Sequence, residues 1–346
     1  MNRYELTPVS RPCPVCANED CSVLYRVGAD DAAQHYVLRE VHPDRKAALA
    51  DHIRMLWKQA SCEVVRCNRC TFCFAWPFVA GDARFYTLAY ERTGFPKAKW
   101  EFDRTVESLS RLRSDDLPRD FSLLEVGAGD GAFVRQVTPA LMPKNQIVCT
   151  EYSEYGAESI RNYGVECLQV DIRELPVESY ANAFDVVCMF QVLEHMDRVH
   201  ALFAQIGRIS TPRAHLFIAV PNEKRTEFNE LNGGLLDLPP NHVGRWNRVA
   251  FQVMADKHGW LVESHEIEPR SADGLAKHLI YRYIRRRQSP TSIANRVERV
   301  RSRPARRVLQ ALTIAAYTPA SLPGLAKLAT RPRFGSTQWV HMRKRS

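Results

Sequence analysis

The sequence predicts an α/β fold built on a mostly parallel sheet, and three observations lead there. Short apolar runs recur at 121–126, 146–151, 165–170, 184–190, 214–220 and 260–267. Helical stretches separate them, which is the alternation of strands covered by helices on both faces. The first run also breaks into Gly127, Gly129 and Gly131 just before a helix, so the backbone can turn tightly and present N–H groups to a ligand.

Composition bounds the answer. A chain of 346 residues, 45% hydrophobic and 25% charged, is long enough for one large domain and a smaller one, with ample core. The absence of an eighteen-residue apolar run and of an apolar leader places the protein in the cytoplasm as an expectation. The net charge of +9 is concentrated. Residues 270–346 hold 18 Lys or Arg against 2 Asp or Glu, leaving 30 and 37 in the rest of the chain. A segment so basic suits a phosphate-rich partner, either an anionic membrane surface or nucleic acid, or is a solvated face with no partner, and its insertion, 271–334, is also a place for a polyphosphate contact.

Seven of the ten cysteines precede residue 74. Cys13-Pro14-Val15-Cys16 and Cys67-Asn68-Arg69-Cys70 are two C-x-x-C knuckles, and together they supply a tetrahedral four-cysteine zinc site. Such a site is closed to substrate, so its zinc is structural. Cys21, Cys62 and Cys73 are competing ligands. A helical segment at 44–59 separates the knuckles, and an aromatic stretch follows, in which Tyr86 and Tyr90 are candidates to line a pocket.

Two carboxylates flank the glycine turn: Glu125 immediately before it and Asp130 within it. A diphosphate would be repelled there, whereas a cationic ligand would be attracted. The next run closes on Glu151, twenty residues after Gly131, where a ribose-binding carboxylate belongs. The third ends at Asp171-Ile172; Asp171 can also cap the turn that follows.

Glu125-Val126-Gly127-Ala128-Gly129-Asp130-Gly131 resembles motif I of the class I S-adenosylmethionine (SAM)-dependent methyltransferases, E-x-G-x-G-x-G. Phe184-Asp185-Val186 through Val192-Leu193-Glu194-His195 is similar to the F-D-x-V-x-x-x-x-V-L-E-H segment of small-molecule members. The resemblance implies a Rossmann-like seven-stranded sheet whose last strand, 337–342, inserts antiparallel between the fifth and sixth. It implies SAM as cofactor, held by Glu125, Gly127, Gly129, Gly131 and Glu151, with Asp171 and Ile172 at the adenine. Gln191 would face the donor methyl, and His195 would contact cofactor or orient substrate. The zinc-containing sugar C-methyltransferases place a histidine in the loop before the next helix, which makes His242 the general base and Tyr90 a further catalytic candidate. The chain departs from that branch in reading Pro240-Asn241-His242 and Tyr90-Glu91-Arg92.

The expected domains are 1–100 (zinc module and aromatic linker), 101–270 (SAM-binding core), 271–334 (basic helical insertion) and 335–346 (final strand). The acceptor is expected to be a small molecule, an activated sugar or glycan precursor. The rivals are a zinc-containing RNA methyltransferase, drawn from the basic C-terminus, and a SAM-binding scaffold without turnover.

Overall fold

The computed structural model describes residues 6–345 other than 91–96, 233, 235, 236 and 332. Glu91 and Arg92, read above as a departure from the sugar C-methyltransferases, lie outside these. The strands are β1 Thr7–Ser10, β2 Asp20–Gly28, β3 Ser61–Cys67, β4 Cys73–Trp76, β5 Leu123–Val126, β6 Ile147–Thr150, β7 Glu166–Leu168, β8 Phe184–Phe190, β9 Ser210–Pro221, β10 Gly244–Arg245, β11 Trp260–Ile267 and β12 Thr337–Lys344.

Seven of them form the main sheet in the order β11-β12-β9-β8-β5-β6-β7. β5 pairs parallel with β6 and β8, and β12 lies antiparallel between β9 and β11, as the resemblance implied. Leu123, Leu124, Val186 and Val187 are wholly buried, as strands sandwiched between helices must be. The order turns back between β5 and β8, so their carboxyl ends open a crevice.

The N-terminal module is a second sheet, β1-β2-β3-β4-β10. Its last strand is a finding, because 236–247 reads as a plain loop. Two residues, Gly244 and Arg245, pair with Phe74 and Cys73 and are too few to leave a periodic signal. Arg245 is buried there and bonds Glu230 at 3.0 Å, while the Tyr25 hydroxyl donates to the same carboxylate at 2.8 Å. Cys13, Val15, Phe72 and Phe74 pack in one apolar cluster with Leu124, Val187, Trp246 and Trp260. The module is therefore continuous with the core of the main sheet.

The insertion is helical, Ala272–Arg287, Ile293–Glu298, Arg303–Tyr317 and Leu322–Ala329. Its two ends are stitched where the sequence places its departure and return: Gly335 N–H donates to the Glu268 carbonyl at 2.8 Å and Glu268 N–H to Thr337 at 2.9 Å. Among the described residues no helix is long and apolar enough to cross a membrane.

Candidate active site

At the carboxyl end of β5 the chain enters the glycine turn, with φ of +66° at Gly127, +59° at Gly129 and +82° at Gly131. Two of these also lack room for a side chain. A Cβ on Gly127 would stand 2.6 Å from Val192 Cγ2, and one on Gly131 would stand 2.9 Å from Ile160. Glu125 at the foot of the turn is 2% exposed and its Oε2 is buried without a hydrogen-bond partner. Burial pushes its pKa up to about 8. Asp130 Oδ1 is likewise buried and unpartnered.

Glu151 follows β6 directly. Its carboxylate accepts from Gly129 N–H at 2.9 Å and from Ser153 N–H at 2.8 Å, so one acid fixes both the glycine turn and the start of the next helix. Asp171 takes the capping role: it accepts from the Arg173 backbone N–H at 2.8 Å and pairs with the Arg173 guanidinium. Burial opposes its charge, but Arg173 outweighs that and holds the pKa below the ordinary value. Ile172, expected at the adenine, is 1% exposed and belongs to the core cluster that also holds Leu124 and Val187. Tyr152, exposed beside Asp171, is the apolar surface available there.

Gln191 follows β8 directly, and its φ of +60° is a strained conformation for a side chain of this kind. Its Nε2 donates to Glu101 Oε1 at 3.1 Å and approaches Thr337 Oγ1 at 3.4 Å. Glu101 is 3% exposed, and burial raises its pKa. Sequence reasoning missed it; an acid in the first turn of helix Trp100–Asp115 looks like an ordinary helix-dipole partner.

Beyond Gln191 the 3-10 turn Leu193–His195 meets the loop carrying His242. Val243 N–H donates to the Glu194 carbonyl at 2.9 Å, which laces the two segments together. The rings of His195 and His242 cross edge-on with centroids 4.5 Å apart. His195 Nδ1 lies 2.7 Å from the Asn241 carbonyl and 3.1 Å from the Tyr86 hydroxyl. Burial drives its pKa down to about 3. His242 Nδ1 lies 2.9 Å from Asp237 Oδ1. Burial opposes charge on that ring, and the Asp237 carboxylate outweighs it. Asp237 was not foreseen, since nothing local marks an acid five residues before a histidine as its partner. Tyr90 stacks on Tyr86 at 6.3 Å, one ring further out, so Tyr86 makes the histidine contact. Burial raises the pKa of Glu101, Glu125 and Glu194, and the charge of Lys99 opposes that rise at each of them.

The sulfurs of Cys13, Cys16, Cys67 and Cys70 all lie within 4.8 Å of one another, with Cys13–Cys70 at 3.6 Å and Cys16–Cys67 at 3.5 Å. Four thiolates about 2.3 Å from one ion have edges near these lengths. N–H groups of Arg69 and Cys70 point at Cys67 Sγ, which supports a thiolate. Cys21, Cys62 and Cys73 are not in the group; Cys73 Sγ lies by Glu223.

Residues 98–268 match the family model of a methyltransferase domain. That match defines the class: residues 98–268, just under half of the chain, are a methyltransferase domain, and the protein is an enzyme. No curated protein matches the chain. Among solved structures, a SAM dependent methyltransferase from Archaeoglobus fulgidus is 14% identical with a TM-score of 0.43, over 70% of this chain and 94% of that one. Magnesium protoporphyrin IX methyltransferase from Synechocystis PCC 6803 is 12% identical with a TM-score of 0.41, over 73% and 90%. Geranyl diphosphate C-methyltransferase from Streptomyces coelicolor A3(2) is 12% identical with a TM-score of 0.38, over 70% and 77%. Likeness at this level does not bear on the substrate.

Proposed function

We propose that the protein methylates a small-molecule acceptor carrying a phosphate or diphosphate, an activated sugar or glycan precursor. The observation that carries the donor half is the unpartnered, buried Glu125 carboxyl beneath a turn that admits no side chain. It fits an ammonium group, and the Glu151 carboxylate has lone pairs left for two ribose hydroxyls. SAM bound there supplies an electrophilic methyl group. The protein's part is to hold Gln191 and the histidine pair in place, orient the acceptor, and take its proton, the role that falls to His242 with Asp237 fixing its ring.

The acceptor half is supported by the insertion. Arg282, Arg285 and Arg286, with Asn232, line a cavity of about 280 Å3. Burial, then the neighbouring Arg286 and Arg285, lowers the pKa of Arg282, as expected where cations crowd without an anion. Burial, then the Asp237 carboxylate, raises the pKa of Tyr281, the neighbour of Arg282, so the helix that carries the cavity lies by the histidine loop. Pyrophosphate is expected to raise the melting temperature of the full chain at low salt, and Arg282→Ala/Arg285→Ala to abolish that shift. An unchanged shift would remove this pocket from the account.

The four thiolates we read as a structural zinc site. The reaction itself is tested by S-adenosylhomocysteine release from SAM with sugar phosphates and nucleoside-diphosphate sugars, against an RNA fraction. Release with the former supports the proposal. Release with RNA alone would favour the nucleic-acid rival.

A further inference from the structure

Glu194, His195 and His242 make a constellation that proton transfer alone leaves unexplained. One ligand atom from each lies within 4.8 Å of the other two. The Asn241 carbonyl has only lone pairs to offer, so the hydrogen between it and His195 sits on His195 Nδ1. The carboxylate of Asp237 places the hydrogen of His242 on Nδ1 in the same way. Each ring therefore presents Nε2 as a bare acceptor. Glu194 is 1% exposed; its Oε1 stands 4.0 Å from His195 Nε2, and its Oε2 is buried with no partner. Two imidazole nitrogens and a carboxylate oxygen thus stand within 4.8 Å of one another, a convergence of acceptors that a cation would hold together.

We propose that Glu194, His195 and His242 bind a divalent first-row transition metal ion. Two imidazoles and one carboxylate are a donor set for zinc, manganese, iron or cobalt, and three protein ligands leave coordination positions open for a substrate. The surroundings are those of a metal site: a carboxylate on one ring, a backbone carbonyl and the Tyr86 hydroxyl at the other, each fixing tautomer and ring orientation. The four-cysteine group is a different kind of site, sulfur-only and closed.

The inference rests on the methyltransferase reading and revises one part of it, since His242 then coordinates with the lone pair otherwise used as a base. An acceptor hydroxyl on the ion loses its proton to water more readily. Its oxygen supplies the electron pair of the new C–O bond, and the pair of the breaking C–S bond returns to sulfur, leaving neutral S-adenosylhomocysteine.

The test uses full-length protein with its thiolate site filled with zinc, titrated with Co2+ while visible absorption and metal content are followed. One further equivalent is expected, with weak d–d bands and no sulfur-to-metal charge transfer. Glu194→Gln should weaken that equivalent about 100-fold or more, and Asp237→Asn, which leaves all three ligands, by about 10- to 100-fold. Neither should displace the thiolate-bound ion. A native chain that takes up no second equivalent, or a Glu194→Gln chain that takes it up as well as native, overturns the site. SAM titrations on the same samples separate the two readings. Donor binding without cobalt uptake would sink only the metal site, and cobalt uptake without donor binding would support it while sinking the methyltransferase reading.

Discussion

Cys67→Ser protein will hold one equivalent of zinc fewer than the native chain and melt on the order of 10 °C lower or more. Structural zinc contributes roughly 10–16 kcal/mol of binding free energy in small zinc-folded peptides, and that energy is folding energy. Cys67 is central to it: its sulfur receives N–H groups from Arg69 and Cys70 and faces Cys16 at 3.5 Å. The damage will not stay local, because Cys13, Cys70 and Phe72 belong to the same apolar cluster as Leu124 of β5 and Trp246. Donor affinity should fall with stability. Cys73→Ala is the control, since that sulfur lies outside the group of four, and its zinc content should equal that of the native chain. Metal analysis and calorimetry read both; full zinc in Cys67→Ser would refute the ligand assignment.

Glu125→Gln is expected to weaken SAM binding by about 10- to 100-fold, the loss of a charge-assisted bond of roughly 1.5–3 kcal/mol. The native residue also makes a signed prediction. Burial holds its pKa at about 8, so at pH 7 the free protein carries it mostly as the neutral acid. An ammonium ligand requires the carboxylate, so SAM uptake at pH 7 expels a proton, and affinity rises with pH until it levels off above about 8. For the unliganded fold the sign is opposite. A carboxyl whose folded pKa is raised stabilises fully below its unfolded value of about 4.3, and that contribution is lost as pH climbs toward 8. Glu125→Gln should thus be at least as stable as native at pH 8, which separates lost binding from lost folding. Titrations in two buffers of different ionisation enthalpy measure the proton. An affinity that Glu125→Gln leaves unchanged would show that the donor's ammonium group lies elsewhere.

What the sequence disclosed, and what it hid, follows from the range of the interactions. β8 and β11 run over the residues their apolar pattern marks, and Asn247 caps helix Arg248–Lys257, its side chain accepting from Ala250 N–H. Glycine turns, knuckles and strand-end acids are local signals of that sort. The histidine site is different: Tyr86, Glu101, Glu194, His195, Asp237 and His242 come from four separate segments that only the folded sheet brings together. No spacing announces such convergence. β10, two residues long, was invisible for want of a period, yet it joins the N-terminal sheet to the histidine loop.

The most direct measurement of the central claim is calorimetric titration of native, zinc-loaded protein with S-adenosylhomocysteine, which needs no acceptor and no turnover. Saturable one-to-one binding is predicted, with a proton released at pH 7 and strongly weakened by Glu125→Gln. The absence of saturable binding by the intact, folded chain would contradict it.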